Sequence, residues 1–158
     1  METSNELAKR FREVYINGQW IANTNYVEIL SDILYEQANT KILGLNSIGL
    51  LTNHVNYYLE GVLEVFEGKP LSISDKNSFN FKDFSSEKAW ADIKNRLKSN
   101  AELFANHIEK MSEADLNAVF IDEKYGSFRR NIEGLIEHSY YHLGQISLVK
   151  KLTKGSEG

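Results

Sequence analysis

The chain has 158 residues, one proline and no cysteine, and its 18 Lys and Arg against 22 Asp and Glu give a formal net charge of -4. With 42% apolar and 25% charged residues it falls in the ordinary globular range, which excludes a disordered or membrane-spanning chain as the first expectation. Lack of cysteine removes disulfides, thiolate ligands and a cysteine nucleophile, and the acidic balance gives no electrostatic reason to expect nucleic acid.

Apolar spacing near 3.6 recurs in four long segments and none alternates with period two, so the expected fold is all-α, a four-helix bundle in one domain over 1–152 with a flexible tail at 153–158. The first helix is expected to start after Thr3 or Ser4 and to bury Leu7, Phe11, Val14 and Tyr15. Asn17-Gly18 reads as its left-handed stop, and a loop with Trp20 and Tyr26 follows. "SDILYEQANTKIL" reads as a short connecting helix, whereas "GLNSIGLLTNHVNYYLEGVLEVFEGKP" gives a clear second long helix, capped by Ser47 and stopped by Gly68 and Pro70.

Residues 71–84 read as a polar loop carrying Phe79, Phe81 and Phe84. "SSEKAWADIKNRLKSNAELFANHIEKM" makes a third helix capped by Ser85 or Ser86, its buried stripe formed by Trp90, Ile93, Leu97, Phe104 and Ile108. "VFIDEKYGSF" suggests a short extended excursion turning at Tyr125-Gly126, after which Asn131 is expected to cap "IEGLIEHSYYHLGQISLVKKL". The basic pairs Arg129-Arg130 and Lys150-Lys151 adjoin helix ends, where capping and dipole complementarity would account for them. The charged N-terminus has no secretory pattern, and no apolar run is long enough to span a bilayer, so a cytoplasmic protein without membrane partners is expected.

His138 and His142 stand four residues apart on the last helix, so both imidazoles leave one face about one turn apart, ~6 Å between Cβ atoms, a spacing two ligands of one metal can use. Two imidazoles satisfied by hydrogen bonds beside the core give the same pattern. His54, midway along the second long helix, is open to the same two readings, but crossed helices could bring it to the pair and leave a coordination position for water or substrate. His107, beside Glu109 and Lys110 at a helix end, suits a solvated or dipole role.

Several other chemistries are excluded by pattern. A ferritin-like site wants Glu three residues before His, but those positions hold Leu51, Phe104, Leu135 and Ser139. HExxH, the G-x-S-x-G elbow, the P-loop and G-x-G-x-x-G are also missing.

"LNSIGLLTNHVNYYLEG" followed by "GLIEHSYYHLGQISLVKK" resembles the DinB/YfiT-like superfamily of metal-binding four-helix bundles. The resemblance runs from the first helix to Leu152, and its most specific element is a His, one residue, then Gly-Gln, with a second His four positions earlier and a lone His in the second long helix. It implies that His54, His138 and His142 coordinate one divalent ion, zinc or nickel, in a scaffold that hosts thiol-dependent transferases and isomerases using a small thiol cosubstrate. A homodimer is also implied.

The sharper functional expectation is therefore transfer of a low-molecular-weight thiol to an electrophilic small molecule, the sulfur coming from the cosubstrate. Metal-assisted hydrolysis is the alternative, weakened because neither His-bearing helix face offers an acidic residue and Glu137 points about 100° away. The third reading is a non-catalytic module whose metal or His cluster stabilises the bundle or senses a ligand. Tyr58, one turn after His54, is the candidate catalytic hydroxyl, and Gln145, three residues after His142, the candidate partner that orients its ring. Tyr57, Tyr140 and Tyr141 are assigned no chemistry, and the loop aromatics are expected to cover the mouth of the bundle or a second subunit.

Overall fold

A computed structural model describes residues 1–154, and among them every regular element is helical. In chain order these are α1 (Ser4–Arg12), continued by a π-helical turn Glu13–Asn17, then α2 (Tyr26–Leu30), α3 (Tyr35–Asn39), α4 (Ile48–Phe66), α5 (Asp75–Ser78), α6 (Glu87–Glu109), α7 (Glu113–Asn117), a single 3₁₀ turn Glu123–Tyr125, and α8 (Phe128–Lys154). The all-helical class holds, with eight α-helices among the described residues. α6 packs against α1 and α4, and α4 packs against α8. α8 continues through Thr153 and Lys154; the rest of the expected tail, 155–158, lies outside the described residues.

The long helices begin where short polar side chains can satisfy free N–H groups. Thr3 and Glu6 form a reciprocal capping box, Ser47 Oγ accepts from Leu50 N at 3.1 Å, and Ser86 Oγ accepts from Ala89 N at 3.2 Å. The α8 start differs from expectation. Ser127 Oγ accepts from Arg130 N, whereas Asn131 already lies within the helix and donates to the Tyr125 and Ser127 carbonyls. The extended excursion is present as one antiparallel bridge between Val119 and Ser127, closed by Gly126 at φ 75°.

Gly18 does stop the first helix, but not in the left-handed conformation: its φ of −86° is open to any residue. A Cβ there would lie 2.5 Å from Glu13 Cα, so the π-helical turn requires glycine for close backbone approach. Tyr26 is buried and opens α2, capped by Asn25, rather than sitting in a loop. The 71–84 segment, read as loop, contains α5, and α7 lies where no helix was expected, started by a Ser112–Asp115 capping box. Helices this short are fixed by caps and contacts more than by periodicity.

The core is continuous around Leu7, Phe11, Val55, Leu59, Trp90 and Phe104, and all five residues expected in the α6 stripe are buried. A polar cluster centred on Ser139 crosses it. Tyr15 meets Ser139 Oγ at 2.5 Å, Tyr26 donates to the Ser139 carbonyl at 2.6 Å, and Ser139 Oγ donates to Leu135 O at 2.6 Å. These contacts fix the rotation of α8, because Ser139 faces the core while its neighbours His138 and His142 face α4. Ser139→Ala is expected to destabilise the fold by about 1–3 kcal/mol by leaving the Tyr15 hydroxyl buried and unpaired, and Tyr15→Phe by less, since Ser139 keeps Leu135 O. Urea midpoints at neutral pH measure the difference.

Candidate metal centre

His54 comes from the middle of α4, and His138 and His142 come from successive turns of α8 where the two helices pack. His54 and His142 are buried and His138 is half-buried. Their Nε2 atoms converge: His54 lies 3.2 Å from His138 and His142 lies 3.0 Å from His138, so the three rings are brought together as one group.

The outer nitrogens show which way the lone pairs point. His142 Nδ1 sits 2.7 Å from Gln145 Oε1, and His54 Nδ1 sits 3.4 Å from the Ser78 carbonyl. Both partners are acceptors, so both Nδ1 atoms carry the proton and both Nε2 atoms present lone pairs. A neutral His138 has one proton and can serve only one of its two close neighbours through Nε2. At least one N···N approach then lacks a proton, whereas one cation would satisfy all three nitrogens.

The spacing fits that cation. Metal–nitrogen bonds of about 2.0–2.1 Å put adjacent donors roughly 3.3 Å apart in tetrahedral and roughly 2.9 Å apart in octahedral geometry, and 3.0 and 3.2 Å lie between. Gln145 stands against the outer nitrogen of His142. His107 stands outside the group, against the Phe66 ring.

Electrostatics keep the rings neutral, as ligands must be. Burial first, then the proximity of His142 and His54, pushes His138 down to about 4. Burial also lowers His54, aided by His142, and lowers His142 against the opposing Gln145 hydrogen bond.

The expected Tyr58 and Phe79, together with Asp75, which the helix patterns did not reveal, complete the surroundings. Phe79 stacks on His54 with ring centroids 4.3 Å apart. Tyr58 packs edge-on against both His54 and His138, and its hydroxyl donates to Asp75 Oδ1. Burial and that hydrogen bond raise the Tyr58 hydroxyl to about 12. The two histidine-bearing helix faces carry no acidic residue, as expected, but Asp75 reaches the histidines from α5, and its negative charge opposes without overcoming the burial that lowers His54 and His138. The segment carrying it lies close on α4 because Gly61 has no Cβ, which would stand 2.1 Å from Ile73 Cγ2. Ser74 N donates to the Tyr57 hydroxyl at 3.0 Å and anchors the same segment.

The expected aromatic cover also divides. Phe79 reaches the histidines, Phe84 packs on Trp90, Tyr26 belongs to the core, and Trp20 is 75% exposed. His138, Tyr58 and Asp75 form one end of a cleft of about 700 Å³, within the range of small-molecule sites.

A sequence profile of the DinB superfamily matches residues 21–146, which include all three histidines, Tyr58, Asp75 and Gln145. No curated protein and no solved structure matches the chain. Among the described residues no helix is long and apolar enough to cross a membrane.

The histidines make metal-free stability depend on pH. The folded His138 value lies below the ordinary 6.5, so between the two the unfolded chain binds more protons, and stability falls as pH drops from 6.5 towards about 4. Urea midpoints in chelator across that range should show the fall, and His138→Gln should reduce it.

Proposed function

The chain belongs to the DinB superfamily, and from that premise and the site geometry we propose that it binds one divalent ion through His54, His138 and His142 and uses it to transfer a low-molecular-weight thiol to an electrophilic small molecule. The observation that carries the reading is the convergence of three imidazole Nε2 atoms at the end of an open cleft. Imidazole donors suit zinc and nickel. When bound, such an ion supplies Lewis acidity that favours the thiolate near neutral pH.

The chain's own residues do the rest. Gln145 and the Ser78 carbonyl hold the His142 and His54 tautomers, so the inner nitrogens stay unprotonated. Tyr58 positions Asp75 by donating to Oδ1, which leaves the second carboxylate oxygen to accept the thiol's proton. Phe79 covers one face of the His54 ring. Cysteine is absent, so the transferred sulfur belongs to the cosubstrate.

Asp75 also favours a second reading, hydrolysis, because a carboxylate beside the histidines could equally accept a proton from water. The two are separated by dependence on added thiol. Protein reconstituted with zinc or nickel should consume an electrophile such as monobromobimane only with a small thiol, and His142→Ala should lose at least about a hundredfold in rate while keeping its circular dichroism. Ester or amide turnover without thiol would support hydrolysis instead.

Metal affinity tests the outer contacts independently of turnover. Gln145→Leu should weaken zinc binding about 10–100-fold in a competition titration against a chromophoric chelator, with stoichiometry still near one per chain.

A further inference from the structure

The cleft beside His138 has two chemically different ends. Tyr58, Asp75 and His138 form one, and Arg130, Asn131 and Tyr125 form the other, with Val62, Leu71, Ile73, Phe120 and Leu135 as apolar walls between them. Arg130, Gly134 and His138 follow each other at intervals of four on α8, so they share one face, and Arg130 lies about 12 Å along the axis from His138.

Two residues on this face have no structural explanation in the fold. Gly134 sits well inside a 27-residue helix, where glycine is unfavourable, yet a Cβ built there meets nothing within 4 Å. No close approach requires it; its effect is to leave the middle of the cleft floor bare. Arg130 lies at the positive end of the α8 dipole, so the dipole complementarity expected of it does not apply. Its neighbour Arg129 is a tether, donating to the Glu2 carbonyl at 2.6 Å and to Glu113 at 2.8 Å. Arg130 instead has only a long, exposed contact with Glu137 at 3.4 Å, which an incoming anion can replace.

We propose that this cleft binds an extended, amphipathic substrate whose apolar body lies over Gly134 and whose terminal carboxylate pairs with Arg130, its other end being held at the histidines. The assignment of that other end rests on the proposed metal centre. A singly charged carboxylate matches the planar guanidinium fork. Glu137 beside this single arginine disfavours a group of higher charge. Apolar walls matched to a chain of this length give the contact area, and the two polar ends give the orientation.

Two titrations test this. In cobalt-loaded protein, the thiolate-to-cobalt absorption band reports binding of mercaptooctanoate, mercaptooctanol and mercaptoethanol. In metal-free protein, calorimetry reports binding of octanoate. Mercaptooctanoate should bind roughly tenfold more tightly than mercaptooctanol, and Arg130→Gln should erase that ratio with cobalt content and mercaptooctanol affinity unchanged. Glu137→Gln should increase the ratio by freeing Arg130. Gly134→Leu should weaken both long thiols but not mercaptoethanol, and Gly134→Ala, which keeps a good helix former, should do so to a smaller degree.

Equal affinities for the two long thiols, or a ratio that survives Arg130→Gln, overturns the proposal. Octanoate binding that Arg130→Gln abolishes, with no thiolate band for any thiol, supports the carboxylate end and sinks the thiol reading of the metal centre. A thiolate band with no preference for the carboxylate does the reverse.

Discussion

Two approaches of about 3 Å between the Nε2 atom of His138 and those of His54 and His142 place more lone pairs together than the available protons can separate. In water such rings would turn apart and hydrate. Here they cannot, because Gln145 and the Ser78 carbonyl hold the outer edges of the two buried rings and Phe79 stacks on the face of His54. The fold thus accepts a locally unfavourable arrangement that becomes favourable when a cation enters it, which is how a pre-organised ligand set differs from histidines that merely share a face.

That arrangement requires α4 and α8 to keep a fixed rotation, and the remainder of the molecule supplies it. Ser139 faces the other way from its histidine neighbours and is held by Tyr15 from the first helix and Tyr26 from α2. On α4, the buried Asn56 and its neighbour Glu60 are joined to Asn100 of α6 at 3.0 Å, so the helix bearing His54 is held by polar contacts as well as by apolar packing. Polar groups at such depth cost free energy unless satisfied, and in return they define one register where apolar contacts alone would tolerate several.

Much of this was legible because it is helical and periodic. Thr3, Ser47 and Ser86 act as caps, the α6 stripe is buried, and three histidines on two helices meet, all signals carried by spacing within one element. What spacing does not carry was missed. Asp75 lies 21 residues beyond His54 in a stretch without periodicity, and the segment bearing it lies on α4 against Gly61, held by Tyr57 and Tyr58. The conformation of Gly18 was misjudged for a related reason: glycine in sequence signals a special backbone, but whether the demand is a positive φ or a close approach depends on the preceding turn, here a π-helical one. Asn131 looked like a cap, yet Ser127 was the residue placed before the first free N–H groups.

A purely structural role for the ion is physically sufficient, since a ligand at a thousand times its dissociation constant stabilises a fold by about 4 kcal/mol. The site's shape argues for more. Structural zinc sites are generally closed by four protein ligands, whereas among the described residues only three ligating side chains gather here, and the least buried of them, His138, opens on a cleft of about 700 Å³. An ion needed only to join α4 to α8 would gain from deeper burial and a fourth side chain, and the fold has one near at hand in Asp75. That carboxylate is instead held by Tyr58, on the cleft side of the histidines. Under the proposed function, an ion held by these three side chains would leave room for a small molecule at some cost in stabilisation, as expected of a site that binds and activates its ligand.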